Sequence, residues 1–261
     1  MEGRVTLRRE DDGPVRTLTI DRPDQRNSLN GEVLDGLLRE FRTASQDDTV
    51  RVVVLTGAGD RAFCAGADLS DIAPDAGAVA QHEGRAKLRQ LFAVAAELDR
   101  PLVGRVNGHA LAGGLGVALL CDLLVAADDA QFGTPEVRVG LWPYVISRAI
   151  ADHVGPKRAL ELMMTGRRLS AEEAVAWGLV NRVVPRPDLD AAVGELVSEL
   201  LAGAPLAQRL GRRSFYSARD LPHREAMAYL QGMLDLTTQT EDVVEGITAF
   251  FEKREPRWRG R

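Results

Sequence analysis

A chain of 261 residues, 45% hydrophobic and 27% charged, has the make-up of a folded globular protein with one large domain or two unequal ones, and this excludes an intrinsically disordered chain. The formal net charge of −5, from 33 basic and 38 acidic residues, leaves no global electrostatic footprint for nucleic acid. The charged stretch Met1 to Arg9 and the lack of an apolar run of about 18 residues argue against a membrane partner, and two cysteines, Cys64 and Cys121, fit a reducing cytoplasmic compartment better than a disulfide framework.

The turn signal Asp11-Asp12-Gly13-Pro14 predicts a hairpin between Val5 to Arg8 and Val15 to Asp21. Asn30 is placed to cap a helix in which Val33, Leu34, Leu37, Leu38 and Phe41 follow helical spacing. Arg51 to Thr56 reads as a strand buried on both faces, and Gly57 to Ser70 as a loop. A second helix is expected over about Val79 to Leu98. The strand Pro101 to Val106 then breaks into the glycine-rich stretch Asn107 to Gly116, ahead of a helical segment at Val117 to Leu120. Further strands are expected over Cys121 to Ala126 and within Ala130 to Val139. This alternation of strand and helix predicts an α/β fold with a mainly parallel sheet.

Beyond that point helices dominate: Ser147 to His153, Pro156 to Met164, Ser170 to Trp177, Leu189 to Ala202, Ala204 to Arg219, His223 to Thr238 and Thr240 to Lys253. The shift near residue 195 divides the chain into a 1–195 core and a 196–261 helical region. The second part is small for a core of its own and is expected to pack on the body or on another subunit.

Four features bear on chemistry. The glycine stretch, where a strand gives way to a helix, leaves backbone N–H groups free for an anion, either a phosphate or a carbonyl oxygen gaining charge. The spacing of Gly108, Gly113, Gly114 and Gly116 does not fit a dinucleotide fingerprint. The loop Ala62 to Leu69 also follows a buried strand. Glu136, between Pro135 and Val137, is either solvated or held over a pocket with a raised pKa. The tail Phe250 to Trp258, aromatic and basic together, suits a helix end or an interface carrying a phosphate contact. No cluster has metal-ligand spacing and no Ser/His/Asp set stands out, so no metal or separate cofactor is implied. Two loops offering N–H donors to one carbonyl oxygen, with a nearby Glu, form the arrangement needed to stabilise a thioester enolate.

The order of these features, with Ala-Phe-Cys-Ala-Gly-Ala-Asp-Leu at 62 to 69, Val-Asn-Gly-His-Ala-Leu-Ala-Gly-Gly at 106 to 114, Cys-Asp-Leu at 121 to 123 and Phe-Gly-Thr-Pro-Glu at 132 to 136, resembles the enoyl-CoA hydratase/isomerase (crotonase) superfamily nearly end to end. The resemblance implies a spiral core of repeated strand-strand-helix units, a C-terminal helical trimerisation region, and a homotrimer or a hexamer of two trimers. It implies an acyl-CoA thioester substrate, with CoA as part of that substrate and no other cofactor. By position, the N–H groups of Ala67 and Gly113 would form an oxyanion hole and Glu136 would be the acid/base. Ala65, Asp68 and Leu69 would line the adenine and pantetheine path. Arg26, and Lys253 from a neighbouring subunit, would meet the CoA phosphates.

A hydratase of this family usually carries a further glutamate in the helix after the oxyanion glycines; Gly116 stands at that position here. Tyr144, where many hydratases have glycine, is expected either to supply or orient a proton or water or to fill the space left by the missing Glu. The resulting expectation is an enoyl-CoA hydratase working with one glutamate. The alternatives are a Δ3,Δ2-enoyl-CoA isomerase and an acyl-CoA-binding protein without chemistry.

Overall fold

Residues 6–68 and 78–261 are described by the computed structural model. A hairpin of β1 (Leu7–Asp12) and β2 (Val15–Ile20) opens the fold, turning at Gly13-Pro14. Asp11 and Asp12, expected in the turn, instead complete β1. Asp11 sits opposite the buried Arg16 and accepts hydrogen bonds of 2.9 and 3.1 Å from its guanidinium. Those bonds hold the Asp11 carboxyl well below the usual carboxylate range and keep the acidic pair extended.

Helix α1 (Gly31–Gln46) starts at Asn30, whose Oδ1 accepts a hydrogen bond from the Val33 amide at 2.9 Å, and buries Val33, Leu34, Leu37, Leu38 and Phe41 as their spacing predicts. After it come β3 (Val52–Gly57), β4 (Ala62–Cys64), α2 (Ala78–Ala96), β5 (Leu102–Val106), β6 (His109–Leu111), α3 (Gly113–Ala118), β7 (Leu123–Ala127) and β8 (Gln131–Gly133). The chain continues through α4 (Tyr144–Thr165), β9 (Arg168–Ser170), α5 (Ala171–Trp177) and β10 (Arg182–Val184) to four further helices. These are α6 (Leu189–Ala202), α7 (Pro205–Arg219), α8 (His223–Thr237) and α9 (Glu241–Glu252).

Among the described residues the strands form a six-stranded sheet, β1-β2-β3-β5-β7-β10, and a four-stranded sheet, β4-β6-β8-β9. Pairing is parallel except for the β1–β2 hairpin and the β8–β9 pair. Each pair β3/β4, β5/β6 and β7/β8 places one strand in each sheet, and the chain then goes into a helical or 3-10 segment. This is the repeated strand-strand-helix spiral, and the main apolar core lies inside it, with Phe41, Phe63, Leu115 and Phe132 fully buried. The large sheet's other face, with Val52, Val54, Val103 and Val125, is covered by Leu189, Val193, Leu196 and Val197 of α6.

Several expectations shift. The strands β4, β6, β9 and β10 are three residues each, too short to show a period and held by partners distant in sequence. Helix α3 begins inside the glycine stretch, at Gly113, rather than near Val117. The two helices expected around Gly155 form one element, α4, interrupted there by a residue at φ 77°. The expected boundary between 1–195 and 196–261 falls within α6, whose apolar side packs on the sheet. Both cysteines are buried and free; burial pushes the Cys64 thiol up to about 12 and the Cys121 thiol higher, so neither is a nucleophile at neutral pH.

Candidate active site

The site gathers where strands of the small sheet end. Past β4 the backbone runs alongside Leu29: the Leu29 amide donates to the Gly66 carbonyl at 2.8 Å and the Asp68 amide to the Leu29 carbonyl at 2.9 Å. A parallel bridge of this kind uses the carbonyl before Ala67 and the amide after it, so the Ala67 N–H points the other way. Past β6, Ala112 takes φ 53° and Gly113 opens α3, where no earlier turn exists to receive its N–H. A Cβ placed on Gly113 would lie 3.6 Å from the Ala67 nitrogen, and one placed on Gly66 would lie 3.1 Å from the Gly113 nitrogen. The two amides are therefore neighbours, and the missing side chain of Gly113 leaves the space beside them open. Donors so placed can both reach one oxygen.

Two buried asparagines that sequence reasoning passed over hold this geometry. Asn27, at φ 56°, donates from Nδ2 to the carbonyls of Ala58 (2.9 Å) and Ala62 (2.7 Å), and its Oδ1 accepts from the Arg22 amide at 3.0 Å. Asn107 donates to the Gly59 carbonyl at 2.7 Å and accepts from the Gly57 amide at 3.1 Å. Together they clamp the 57–62 segment beneath the Ala67 loop. Asn107 carries a readable signal, an amide side chain directly after a strand end, where free backbone groups need partners; Asn27, past a 3-10 turn, carries none.

Glu136 lies in a 3-10 turn, Pro135–Val139, that follows β8. Its Oε2 is buried with no hydrogen-bond partner among the described residues, and burial raises the carboxyl pKa above 4.5. Val137, Val139, Leu141 and Val145 stand exposed along the turn and the start of α4. The position expected for a further glutamate has no room for one. A Cβ on Gly116 would lie 2.2 Å from Cγ2 of Ile146, which is 2% exposed, and 3.5 Å from the Phe92 ring. Ile146 and Phe92 fill that space, whereas Tyr144, expected to orient a proton or water or else to fill that space, is 78% exposed at the first residue of α4.

Of the residues expected to meet CoA, Ala65 and Arg26 come together: the Ala65 amide donates to the Arg26 carbonyl at 3.1 Å, and both line a cleft of about 480 Å³. Arg61, Arg168 and Arg186 also line it, and His109 contributes an imidazole whose pKa is lowered by burial and by Arg168. The cleft is cationic despite Asp60 and Asp129. Asp68 is engaged structurally: its carboxylate accepts from Arg22 Nη2 at 2.8 Å and Ser28 Oγ at 3.3 Å, tying its loop to residues 22–28. Lys253 is an exposed residue just past α9 and does not line this cleft within one chain. Leu69 lies outside the described residues.

The family model for enoyl-CoA hydratase/isomerase matches residues 10–261. The chain belongs to that family. It is 35% identical over 257 residues to the carnitinyl-CoA dehydratase of Salmonella heidelberg, covering 95% of this chain and 96% of that one. Crystal structures named enoyl-CoA hydratase superpose closely: that of Bacillus anthracis with a TM-score of 0.93 at 31% identity, covering 98% of this chain and 100% of that one. That of Mycobacterium smegmatis gives 0.93 at 34% identity, covering 97% and 99%. These superpositions establish the crotonase fold over 97–98% of the chain. Among the described residues no helix is long and apolar enough to cross a membrane.

Proposed function

We propose that this enoyl-CoA hydratase/isomerase family member is a hydro-lyase acting on an acyl-CoA thioester, with Glu136 as its single acid/base group. The observation that carries the reading is the orphaned, buried Oε2 of Glu136 near the start of α4, while the side chains of Ile146 and Phe92 occupy the place of a second carboxylate. In this reading the thioester oxygen accepts from the Ala67 and Gly113 amides, and each preorganised donor lowers the barrier by roughly 3 kcal/mol as the enolate forms. Glu136 takes a proton from the water that attacks C3 and returns it to C2; in the reverse direction it removes the C2 proton as hydroxide leaves C3 with that proton. One carboxyl thus serves both transfers. The dehydratase and hydratase names of the relatives favour this direction over isomerisation.

Arg26 and the cationic cleft it shares with Ala65 are assigned to the CoA phosphates, with Asp68 and Leu69 along the pantetheine path and Lys253 contributed by a neighbouring subunit. A homotrimer, or a hexamer of two trimers, is proposed from the apolar face of the tail: Phe250 and Phe251 are 79% and 77% exposed, and Leu234, Val244 and Ile247 stand out with them. Light scattering behind size exclusion checks the assembly.

A second reading, double-bond isomerisation, is favoured by the same lone carboxyl, because moving one proton between two carbons needs only one. Incubation with a trans-2-enoyl-CoA and with a 3-enoyl-CoA separates them. Loss of the conjugated thioester absorbance from the first supports the hydro-lyase; its appearance from the second with no hydration of the first supports the isomerase.

A further inference from the structure

A second cationic cleft lies where β3 and β5 begin. It has a volume of about 520 Å³, and Arg51, Arg100, Arg209 and Arg259 line it together with Asp48 and Asp99. The two carboxylates are already engaged: Asp99 accepts hydrogen bonds of 2.6 and 2.8 Å from Arg213, and Asp48 accepts one of 3.3 Å from Arg100. The guanidiniums are not fully used. Arg100 is 8% exposed, and its Nε is buried without an acceptor; its terminal nitrogens reach the Asp99 and Asp47 carbonyls and the distant Asp48 oxygen. Arg51 donates to the Gly203 carbonyl at 2.7 Å, and its Nε is likewise buried and unpartnered. Burial lowers the Arg51 pKa, the Asp242 carboxylate opposes that shift, and repulsion by Arg100 adds to it. Arg209 is half-buried and makes no hydrogen bond or ion pair among the described residues.

The first turn of the 15-residue helix α7 supplies Pro205, Leu206 and Gln208 to the same cleft, so the positive end of its dipole faces it. Val50, Pro101, Leu206 and Trp258 give it apolar walls, in which charge-assisted hydrogen bonds gain strength. We propose that this cleft is a binding site for a phosphate-class anion, a diphosphate or the diphosphate part of an organic phosphate. Guanidiniums match phosphate oxygens two at a time, and here the two mutually repelling arginines of the core face a third on α7 that has no partner.

This site is separate from the one assigned to acyl-CoA. Strand β5, about 17 Å long at 3.3 Å per residue, starts at this cleft and ends toward Asn107 and the glycine stretch. Its walls come from both parts of the molecule, Arg51 and Arg100 from the core and Leu206, Arg209 and Trp258 from the helical region, so a bound anion bridges them and favours the docked tail.

Titrating the full-length protein with inorganic diphosphate at constant ionic strength, followed by calorimetry and by tryptophan emission, tests the assignment. Saturable binding with a rise in the thermal midpoint is expected. Arg209→Gln, which removes an unpaired group and leaves the fold intact, is expected to weaken it about tenfold. Arg51→Met is expected to abolish it. Trp258→Phe is expected to keep the calorimetric signal and lose most of the emission change. Arg26→Gln, in the cleft assigned to the CoA phosphates, is expected to remove at most a second class of diphosphate sites and to leave the Arg209-sensitive binding unaltered. ADP titrated into Arg26→Gln, with and without Arg209→Gln, distinguishes an organic phosphate from the free anion: Arg209-sensitive binding tighter than that of diphosphate identifies the former, and weaker binding the latter. An equal response to chloride, undiminished binding in Arg209→Gln, or loss of binding in Arg26→Gln would overturn the proposal.

Discussion

Replacing Gly116 by alanine tests how firmly this site is closed to a second side chain. The added Cβ would fall 2.2 Å from Ile146 Cγ2, against an ordinary carbon contact of about 3.5–4.0 Å, so atoms must move by more than an ångström. Overpacking of this kind costs about 1–3 kcal/mol, while alanine in a helix regains about 1 kcal/mol over glycine; the net expectation is a loss of about 0–2 kcal/mol. Ile146→Ala alone opens a cavity at a position 2% exposed and is expected to cost about 2–5 kcal/mol. That change also removes the clashing Cγ2 and leaves only the Ile146 Cβ, at 3.1 Å from the new methyl. The double variant is therefore expected to be more stable than the sum of the two losses by about 1–2 kcal/mol. Urea denaturation of the four proteins, read by circular dichroism at equal slope, gives the coupling. Additivity of the two losses would refute the view that Ile146 fills the place beside Gly116.

Glu136→Gln is expected to lower turnover by about 10²–10⁴-fold. In the direction that begins with C2 proton removal, parental activity is expected to fall as pH drops through a pKa above 4.5, and the variant to lose that limb. The same raised pKa means the ionised carboxyl costs folded-state stability above its folded pKa, a cost relieved as pH falls below the unfolded value; at neutral pH Glu136→Gln should match or exceed the parent in stability, with the gap closing in acid. Gly113→Ala and Gly114→Ala are expected to part ways. The first puts a methyl 3.6 Å from the Ala67 nitrogen and should cost about 10²–10³-fold in kcat with little loss of stability, whereas the second puts one 2.0 Å from the Cys64 carbonyl oxygen and should prevent folding, which soluble yield and circular dichroism report. Asp122→Ala removes the acceptor of Arg212 Nε (2.7 Å), Tyr216 OH (2.7 Å) and the Leu102 amide (2.8 Å); the 8% exposed Arg212 guanidinium keeps the carbonyls of Ala95, Ala96 and Leu98 but loses its counter-charge, which should cost about 3 kcal/mol and expose α7 to limited proteolysis.

What could be read from residue order follows from the length scale of each signal. The α1 stripe from Val33 to Phe41 and its Asn30 cap are local, and the structure repeats them residue for residue. The three-residue strands of the small sheet have no local period; β4 exists because β6 lies beside it, and β6 because β8 does. The site divides in the same way. Gly113 and Glu136 stand in stretches whose composition is odd enough to notice. Ile146 does not: an isoleucine at the start of a helix looks like any core residue until Gly116 is seen 30 positions earlier at van der Waals range. Asn27 was hidden by a conformation, φ 56°, that its identity permits but does not announce.

The donors aimed at the space beside Gly113 are main-chain amides, positioned by the Leu29 bridge and the start of α3 rather than by any functional group that a point mutation can exchange. In the proposed reaction, proton transfer, by contrast, rests on one side chain in a five-residue 3-10 turn. The two halves of the chemistry are thus inherited separately. On the proposed mechanism, thioester activation would survive most substitutions that leave the backbone path alone, while the reaction that follows would be open to change at residues 116, 136 and 146 without rebuilding the scaffold.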